Sequence, residues 1–377
     1  MNSSLADGWF AEPDKNLEAF ALWYWGIHGY LSIFVCIFGI LTNFINIEIL
    51  TRKPMRTSVN TILAAVAISD IVLMASYIPY AIHFYIMCDL TPTPQRYSYA
   101  WTTFMAVHAN VTLSTHAISI WLAVFMAIQR YVYLQTKFCF TVRNTVFACV
   151  AICFASGLIM MPNYMITGVY EVSNNSFNSS MYRLNEFALG SKNPSSIVLL
   201  AFWLYAIAGK LLPCALITIF MGFLLKKLHE SAERRKRLFS TNASSNSKKK
   251  KDHKSTTTML LVIIILYIVT ELPQSVVVVM SACLDGFFEN VYFLLADILD
   301  MAALINNAIN FVLYCIMSQQ FREHLLDTWL LKFCKNLKCY KNRHYKNVKY
   351  GGQSNADDLT TLATEKTVIR TENIKLL

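Results

Sequence analysis

Seven long stretches of the chain carry almost no charge and alternate with short polar segments. They cover residues 19–47, 57–88, 97–129, 144–170, 193–225, 255–284 and 290–321. Each is longer than the ~20 residues that an α-helix needs to cross the hydrocarbon core of a bilayer. In lipid, only a helix or a closed barrel satisfies its own backbone hydrogen bonds. The pattern therefore predicts an all-α membrane protein, a bundle of seven transmembrane helices.

The polar segments set the predicted organisation of the chain. The spans are expected at 27–50, 58–86, 99–134, 144–169, 196–225, 257–283 and 290–317, within a bundle from 27 to 317. An N-terminal segment 1–26, a basic third inner loop 226–254, a short amphipathic eighth helix 318–331 and a tail 332–377 complete it. We expect no cleaved signal peptide, because the first hydrophobic run is long enough to remain as a span.

The distribution of charge predicts the orientation. Only 15% of the residues are charged, and the net charge is +10. The segments that would face the cytosol hold all but five of the 33 Lys and Arg residues, the exceptions being Lys15, Arg96, Arg183, Lys192 and Lys210. The positive-inside rule then places the N-terminus outside the plasma membrane and the C-terminus in the cytosol. The basic segments are expected to attract anionic membrane lipid, and no nucleic-acid partner is expected.

Sequons and cysteines fit this orientation. Asn2, Asn174 and Asn178 begin Asn-X-Ser sequons on outer segments, where glycosylation occurs. Cys334 and Cys339 lie among lysines after the last span, as palmitoylated cysteines do, although they could also be plain cytosolic thiols. Cys88 and Cys283 lie near the oxidising outer surface, and the sequence leaves open whether they pair.

Polar side chains within the spans are the first candidates for function, because an ionisable group in a bilayer costs at least ~2.5 kcal/mol. Five of them fall near the middle of spans one, two, three and seven: Asn43, Asp70, Ser119, Asn306 and Asn310. Their oxygens could hold a sodium ion, and a hydrogen-bond network without an ion fits the composition equally well. No residues with the spacing of another metal or cofactor site, and no nucleophile constellation of an enzyme, accompany them.

A second set of polar residues lies nearer the outside. Glu271 is on span six, Asp297 and Asp300 share a face of span seven, and Lys210 is the buried base of span five. A Lys210–Glu271 ion pair would neutralise both charges, yet three acids against one base still favour a cationic ligand such as a guanidinium. The other candidates for a ligand pocket are Thr112, His116 and Gln274.

Motifs near the ends of the spans resemble those of a known family. Gln129-Arg130-Tyr131 ends span three, 310–314 ends span seven, and Pro213 and Pro273 lie in spans five and six. In this order, over residues 20–331, they resemble the rhodopsin-class G-protein-coupled receptors. The resemblance implies a receptor rather than an enzyme, with a heterotrimeric G protein, arrestin and a receptor kinase as cytosolic partners.

The resemblance also implies roles for single positions. Arg130 would contact the G protein, Tyr314 would swing inward on activation, and the mid-span polar residues would match the sodium site of the family. The layer that transmits activation through the bundle would include Ile120, Pro213 and Tyr267. Gln129 replaces the acid that usually restrains the arginine, and no cysteine is available for the usual outer disulfide.

The sequence of the sixth span indicates a smaller group within this family. Its run from Glu271 to Gln274 is similar to that of invertebrate myosuppressin and FMRFamide-like neuropeptide receptors, which lie close to the serpentine chemoreceptors of the W type. We therefore expect a receptor for an extracellular, amidated, arginine-containing peptide. A chemoreceptor for a small environmental molecule is the alternative. A transporter or channel is a third interpretation, although the inverted repeats and broken spans typical of many transporters are not apparent.

Overall fold

The computed structural model describes residues 15–88, 91–172, 180–184, 195–239, 262, 265–266, 268–281, 283–284 and 286–326. Over these residues the chain forms long α-helices and one short β-hairpin. Six helical segments of the described part are long and apolar enough to cross a membrane, and a shorter apolar helix lies at Ile268–Ser281. The predicted all-α seven-helix membrane bundle is confirmed.

The helices follow one another in chain order. They are α1 (Lys15–Leu50), α2 (Ser58–Ala81), α3 (Tyr99–Thr136), α4 (Val142–Ile166), α5 (Ser196–Leu204), α6 (Leu212–Phe239), α7 (Ile268–Ser281), α8 (Phe293–Met317) and α9 (Gln319–Leu325). Three π-helical segments accompany them at Ile82–Met87, Tyr205–Leu211 and Phe288–Tyr292. The second of these joins α5 to α6 in one continuous span. Between α4 and α5, the hairpin pairs β1 (Val169–Val172) with β2 (Met181–Leu184) in antiparallel register.

Two helices extend beyond their predicted boundaries. α1 begins at Lys15 instead of residue 27, about three turns earlier. α6 continues to Phe239, into the segment 226–254 that was predicted to be a loop. Contacts one turn apart support this extension, with Lys227 Nζ 3.2 Å from Glu230 Oε2. The predicted span boundaries stay predictions, because charge ends a membrane span but does not end a helix.

Threonine caps fix the starts of α2 and α4. Thr57 Oγ1 accepts a hydrogen bond from Asn60 N and Thr141 Oγ1 accepts one from Asn144 N, each at 3.2 Å. α3 ends at Thr136, and the next residue, Lys137, has a left-handed backbone with φ of 61°. These caps leave a connection of only a few residues between α3 and α4.

The bundle is apolar outside and contains polar groups inside. α1 packs on α2 and α8, α2 packs on α3, and α3 packs on α4 and α6. Large apolar side chains remain on the outward faces, with Phe34 of α1 70% exposed and Phe147 of α4 76% exposed. Buried polar residues include Asp70 and Glu271. This distribution is the one that a lipid environment requires.

The bundle has two distinct ends. The hairpin end carries β1 and β2, which contact α3 near its first residue. The Arg130 end carries the last turns of α3 and the first turns of α2 and α4.

Candidate functional site

A cavity of about 240 Å³ lies in the half of the bundle nearer the hairpin end. α2, α3, the Tyr205–Leu211 segment, α7 and α8 contribute to its wall. Five of the seven residues predicted for a ligand pocket line it: Thr112, His116, Lys210, Gln274 and Asp300. The structure therefore brings residues of four different spans to one cavity, and their role in binding a ligand stays a prediction.

A buried ion pair lies beside this cavity. Lys210 Nζ is 3.0 Å from Glu271 Oε2, and the two side chains are 1% and 2% exposed. The same oxygen of Glu271 lies 2.7 Å from His116 Nε2, and Lys210 also donates to Gln274 Oε1 at 2.7 Å. Charges this deep are tolerated when each has a close partner. One carboxylate oxygen thus links α3, the Tyr205–Leu211 segment and α7.

This pair corrects the expected position of Glu271. The sequence left open whether Lys210 neutralises Glu271 or whether Glu271 faces a ligand, and the structure shows the ion pair. Glu271 is not among the described residues that line the cavity. Its carboxylate bonds Lys210 and His116, which do line the cavity.

Asp297 and Asp300 have different surroundings, although they were predicted on one face of their helix. Asp300 is the one carboxylate among the described residues that line the cavity. Asp297 instead accepts a hydrogen bond from the Tyr85 hydroxyl at 2.7 Å. Two residues that are three apart differ by about 300° around the helix axis, which is about 60° short of a full turn. This difference is enough to separate the two side chains. Asp297 therefore serves a contact between helices and does not face the cavity.

Aromatic rings form much of the wall. The Tyr80 ring stacks on His108 with centroids 4.5 Å apart, and Tyr77 meets His108 edge-on at 5.4 Å. The Tyr77 hydroxyl lies 2.8 Å from His28 Nε2 of α1. Sequence reasoning missed His28, which is fully buried. The available signal was a single imidazole within an otherwise apolar stretch of α1.

The π-helical segment Tyr205–Leu211 exposes a backbone carbonyl that another helix satisfies. Leu212 N donates to Ile207 O, five residues back, so Ala208 O would need the N–H of residue 213. Residue 213 is Pro213, which has no N–H. Trp121 of α3 supplies the missing donor, with its Nε1 3.0 Å from Ala208 O. This contact fixes the segment that carries Lys210, and sequence reasoning did not identify it.

The hairpin is attached to α3 without a disulfide. Tyr182 N of β2 donates to Tyr97 O at 2.9 Å, and the Thr102 hydroxyl lies 3.5 Å from Tyr182 O. Cys88 and Cys283, whose pairing the sequence left open, are both free thiols. One backbone hydrogen bond and one hydroxyl contact therefore hold the hairpin over the start of α3.

Two of the five mid-span polar residues, Asp70 and Ser119, bond each other, and Asn43 has a different partner. Ser119 Oγ donates to Asp70 Oδ1 at 3.3 Å, and Asp70 Oδ2 is buried with no hydrogen-bond partner in the described part of the chain. Asn43 instead donates to the backbone oxygen of Asn307 at 3.1 Å. Asn306 and Asn310 are buried on α8. A sodium ion at Asp70 fits the unpartnered oxygen and stays a prediction.

The neighbouring residues Gln129 and Arg130 have different surroundings. Gln129 Oε1 accepts from Ser58 Oγ at 2.9 Å, and its Nε2 donates to Thr145 Oγ1 at 3.3 Å, which joins α2, α3 and α4. Arg130 lines a second cavity of about 650 Å³, together with Tyr133 and residues of α2 and α4. Its Nε has no hydrogen-bond partner, and no carboxylate pairs with it among the residues that the structure describes.

The other residues assigned by resemblance are distributed along the bundle. Tyr131 packs against Phe223 of α6 with ring centroids 5.5 Å apart, and Tyr314 lies buried against Phe321 at 5.1 Å. Ile120 is buried in α3. Pro213 is buried and Pro273 is exposed on α7. Several sites lie outside the described residues, and their roles stay predictions: Tyr267, Asn2, Asn174, Asn178, Cys334 and Cys339.

Comparison with known proteins identifies related sequences. Residues 30–332 match the family model "Serpentine type 7TM GPCR chemoreceptor Srw". The G-protein coupled receptor dmsr-1 of Caenorhabditis elegans is 32% identical over 343 residues, covering 80% of this chain and 67% of that protein. The Sex peptide receptor-related protein 2 of the same organism is 24% identical, covering 82% and 71%. The Sex peptide receptor of Drosophila melanogaster is 26% identical, covering 81% and 72%.

Proposed function

Because the chain belongs to the serpentine seven-transmembrane G-protein-coupled receptors of the Srw type, we propose that it is a receptor for an amidated, arginine-containing peptide of the RFamide type. Family membership makes it a multi-pass membrane receptor that signals through a G protein, and not an enzyme. The class of ligand is the proposal, and the cavity near the hairpin end is the site to which it applies.

The position of Asp300 in the cavity wall is the observation that carries this proposal. The Lys210 charge is already matched by Glu271 at 3.0 Å, so Asp300 is the unmatched charge among the described cavity residues. Tyr77, Tyr80 and other tyrosines surround it. A guanidinium can donate two parallel hydrogen bonds to a carboxylate and stack on an aromatic face. An arginine side chain therefore complements both features of the cavity.

The relatives support a peptide rather than a small molecule. One of them is named as a receptor for the sex peptide, and its alignment covers 81% of this chain. The run from Glu271 to Gln274 adds the resemblance to myosuppressin and FMRFamide-like receptors within the rhodopsin class. The cavity volume of about 240 Å³ is below the ~300–1,000 Å³ of sites for drug-sized ligands. Only the polar end of a peptide would enter it, with the remainder toward the hairpin.

The opposite end of the bundle is the proposed coupling surface. We place the hairpin end outside the cell and the Arg130 end in the cytosol, in keeping with the positions of the basic residues. Arg130 then faces the G protein across the cavity of about 650 Å³. Activation requires that the peptide bind the state with this cytosolic cavity open more tightly than the closed state. Arrestin and a receptor kinase would bind at the same side, and anionic lipid would contact the basic segments.

A chemoreceptor for a small environmental molecule is the second candidate, because the matching family model carries that description. The two candidates share the coupling end and differ at the cavity. A small neutral odorant would not depend on Asp300, whereas an arginine-containing peptide would.

Cells that express the full chain with a G-protein reporter can test the proposal. A panel of amidated arginine-containing peptides should include active members. Replacing the arginine of an active peptide by citrulline, which is neutral and of similar shape, should lower its potency by about 10- to 100-fold. Asp300→Asn should do the same, and Asp297→Asn is the matched control, since the carboxamide oxygen introduced there can still accept from Tyr85. Potency unchanged by Asp300→Asn would contradict the proposal. Silence to every peptide, with responses to small volatile molecules, would favour the chemoreceptor.

A further inference from the structure

Lys210 has more hydrogen-bonding capacity than the protein uses. An ammonium has three N–H donors, and the structure gives Lys210 two acceptors, Glu271 Oε2 and Gln274 Oε1. The side chain is only 1% exposed, yet it contributes to the cavity wall. Its third donor is therefore available to a group that enters the cavity. Gln274 Oε1 accepts from Lys210 with one lone pair and keeps a second lone pair for a ligand donor.

The balance of charges around Lys210 and Gln274 decides which chemical group of a ligand this part of the cavity wall prefers. An isolated lysine would attract a carboxylate. Here the ammonium is paired with Glu271, and His116 contacts the same carboxylate oxygen, while Asp300 lines the same cavity. A carboxylate on the ligand would add an anion where two carboxylates already lie. A carboxamide is neutral, and it offers one acceptor for Lys210 and two N–H donors for neighbouring oxygens.

We propose that Lys210 and Gln274 form the subsite for the terminal carboxamide of the ligand, and that the Lys210–Glu271 pair makes this subsite reject a free carboxylate. The assignment rests on the proposed function and deepens it, since it names the residues that distinguish an amidated peptide from its unamidated precursor. Lys210 donates to the carboxamide oxygen, and Gln274 Oε1 accepts from the carboxamide nitrogen. Asp300 binds the guanidinium of the same ligand.

Glu271 is the residue that sets this selectivity, although it does not line the cavity. Its carboxylate cancels the charge of Lys210 and leaves the donor geometry in place. Removing only that charge should make Lys210 attractive to a carboxylate. The amide preference would then decrease or reverse, while the dependence on the arginine of the ligand would remain.

The experiment compares one active peptide in two forms, with a carboxamide and with a carboxylate at its C-terminus, on cells expressing the full chain. The ratio of their potencies is the readout, and surface labelling confirms that each variant reaches the membrane. In the unchanged chain the amidated form should be the more potent. Glu271→Gln should shift the ratio by about tenfold toward the free acid. Asp300→Asn should weaken both forms, since both contain the arginine, and it should shift the ratio less than Glu271→Gln does.

A second variant covers the case in which Glu271→Gln fails to reach the surface. Lys210→Met combined with Glu271→Leu removes both charges together, and it should lower the potency of the amidated form by about tenfold. Two results would overturn the subsite while the peptide still acts through Asp300: a ratio within about threefold of the original in Glu271→Gln, or an amidated-form potency within about threefold of the original in the double variant. Silence of the unchanged chain to every amidated arginine-containing peptide would overturn the proposed function itself, and the subsite with it.

Discussion

Lys210 and Arg130 lie near opposite ends of the bundle and have opposite surroundings, because Lys210 is paired with a carboxylate and Arg130 has no carboxylate partner among the described residues. Near the hairpin end, Lys210 and Glu271 are almost fully buried and paired at 3.0 Å, and His116 and Gln274 add hydrogen bonds. At the other end, Arg130 lines an open cavity without a carboxylate partner among the described residues. The neighbouring Gln129 joins three helices through uncharged groups.

This difference indicates where the bundle is held together. At the hairpin end, the charged contact joins α7 to α3 and to the Tyr205–Leu211 segment. At the Arg130 end, neutral hydrogen bonds join α2, α3 and α4, and Arg130 remains available for a partner. The strongest polar restraint on α7 in the described structure is therefore beside the cavity near the hairpin end.

The largest expected effect comes from breaking the charged contact on one side only. Lys210→Met leaves Glu271 buried without its ammonium, which should cost about 3–5 kcal/mol. We expect a strong loss of surface expression and of thermal stability in detergent. The matched double variant, Lys210→Met with Glu271→Leu, should recover most of that stability, because two apolar side chains replace a pair of similar volume. Equal stability of the single and double variants would show that the charge pair is not the restraint.

A smaller effect is expected from the contact that holds the π-helical segment. Trp121→Phe keeps an aromatic ring, although a smaller one, and removes the N–H that binds Ala208 O. A carbonyl left without a donor away from water costs about 1–3 kcal/mol. Thermal unfolding of the purified receptor measures this cost. Trp203→Phe is the control, since Trp203 is 43% exposed and its replacement should change stability by less than about 0.5 kcal/mol. If both variants unfold at the same temperature, the indole contact does not stabilise the segment.

The smallest expected effect comes from a change at the Arg130 end. Gln129→Glu places a carboxylate next to Arg130, and an ion pair there should stabilise the inactive state by up to about 1 kcal/mol. Basal signalling should then fall by up to about fivefold, as measured with a G-protein reporter at equal surface expression. Gln129→Met removes the hydrogen bonds to Ser58 and Thr145 without adding an acid, and it should not lower basal signalling. A decrease of the same size in both variants would show that the lost hydrogen bonds, and not the new charge, control the basal state.

The sequence predicted the bundle of membrane helices because the bilayer imposes a single requirement, a helix of about 20 residues without charge. It did not predict the ends of α1 and α6, since these helices continue into charged sequence. The Tyr205–Leu211 segment was also missed, because nothing in its composition distinguishes a π-helical turn from an α-helical one.

The candidate site was predictable as a set of residues but not as an arrangement. Intramembrane charge identified Lys210, Glu271, Asp297 and Asp300, since each is costly in lipid. Which acid pairs with Lys210 depends on how each helix is rotated about its axis. The separation of Asp300 from Asp297 depends on the offset of about 60° between their positions around one helix. Trp121 and His28 were missed because their polar atoms bind groups on other helices, which a linear pattern does not reveal.

The most direct test of the account is a double-mutant cycle between the receptor and its ligand. Asp300→Asn and the arginine-to-citrulline change in the peptide are each measured alone and together, by the potency of G-protein activation. If the guanidinium binds Asp300, the second change should have little further effect once the first is made, with a coupling of about 1–3 kcal/mol. Fully additive losses in the combined measurement would contradict the account, because they would mean that Asp300 and the arginine do not contact each other.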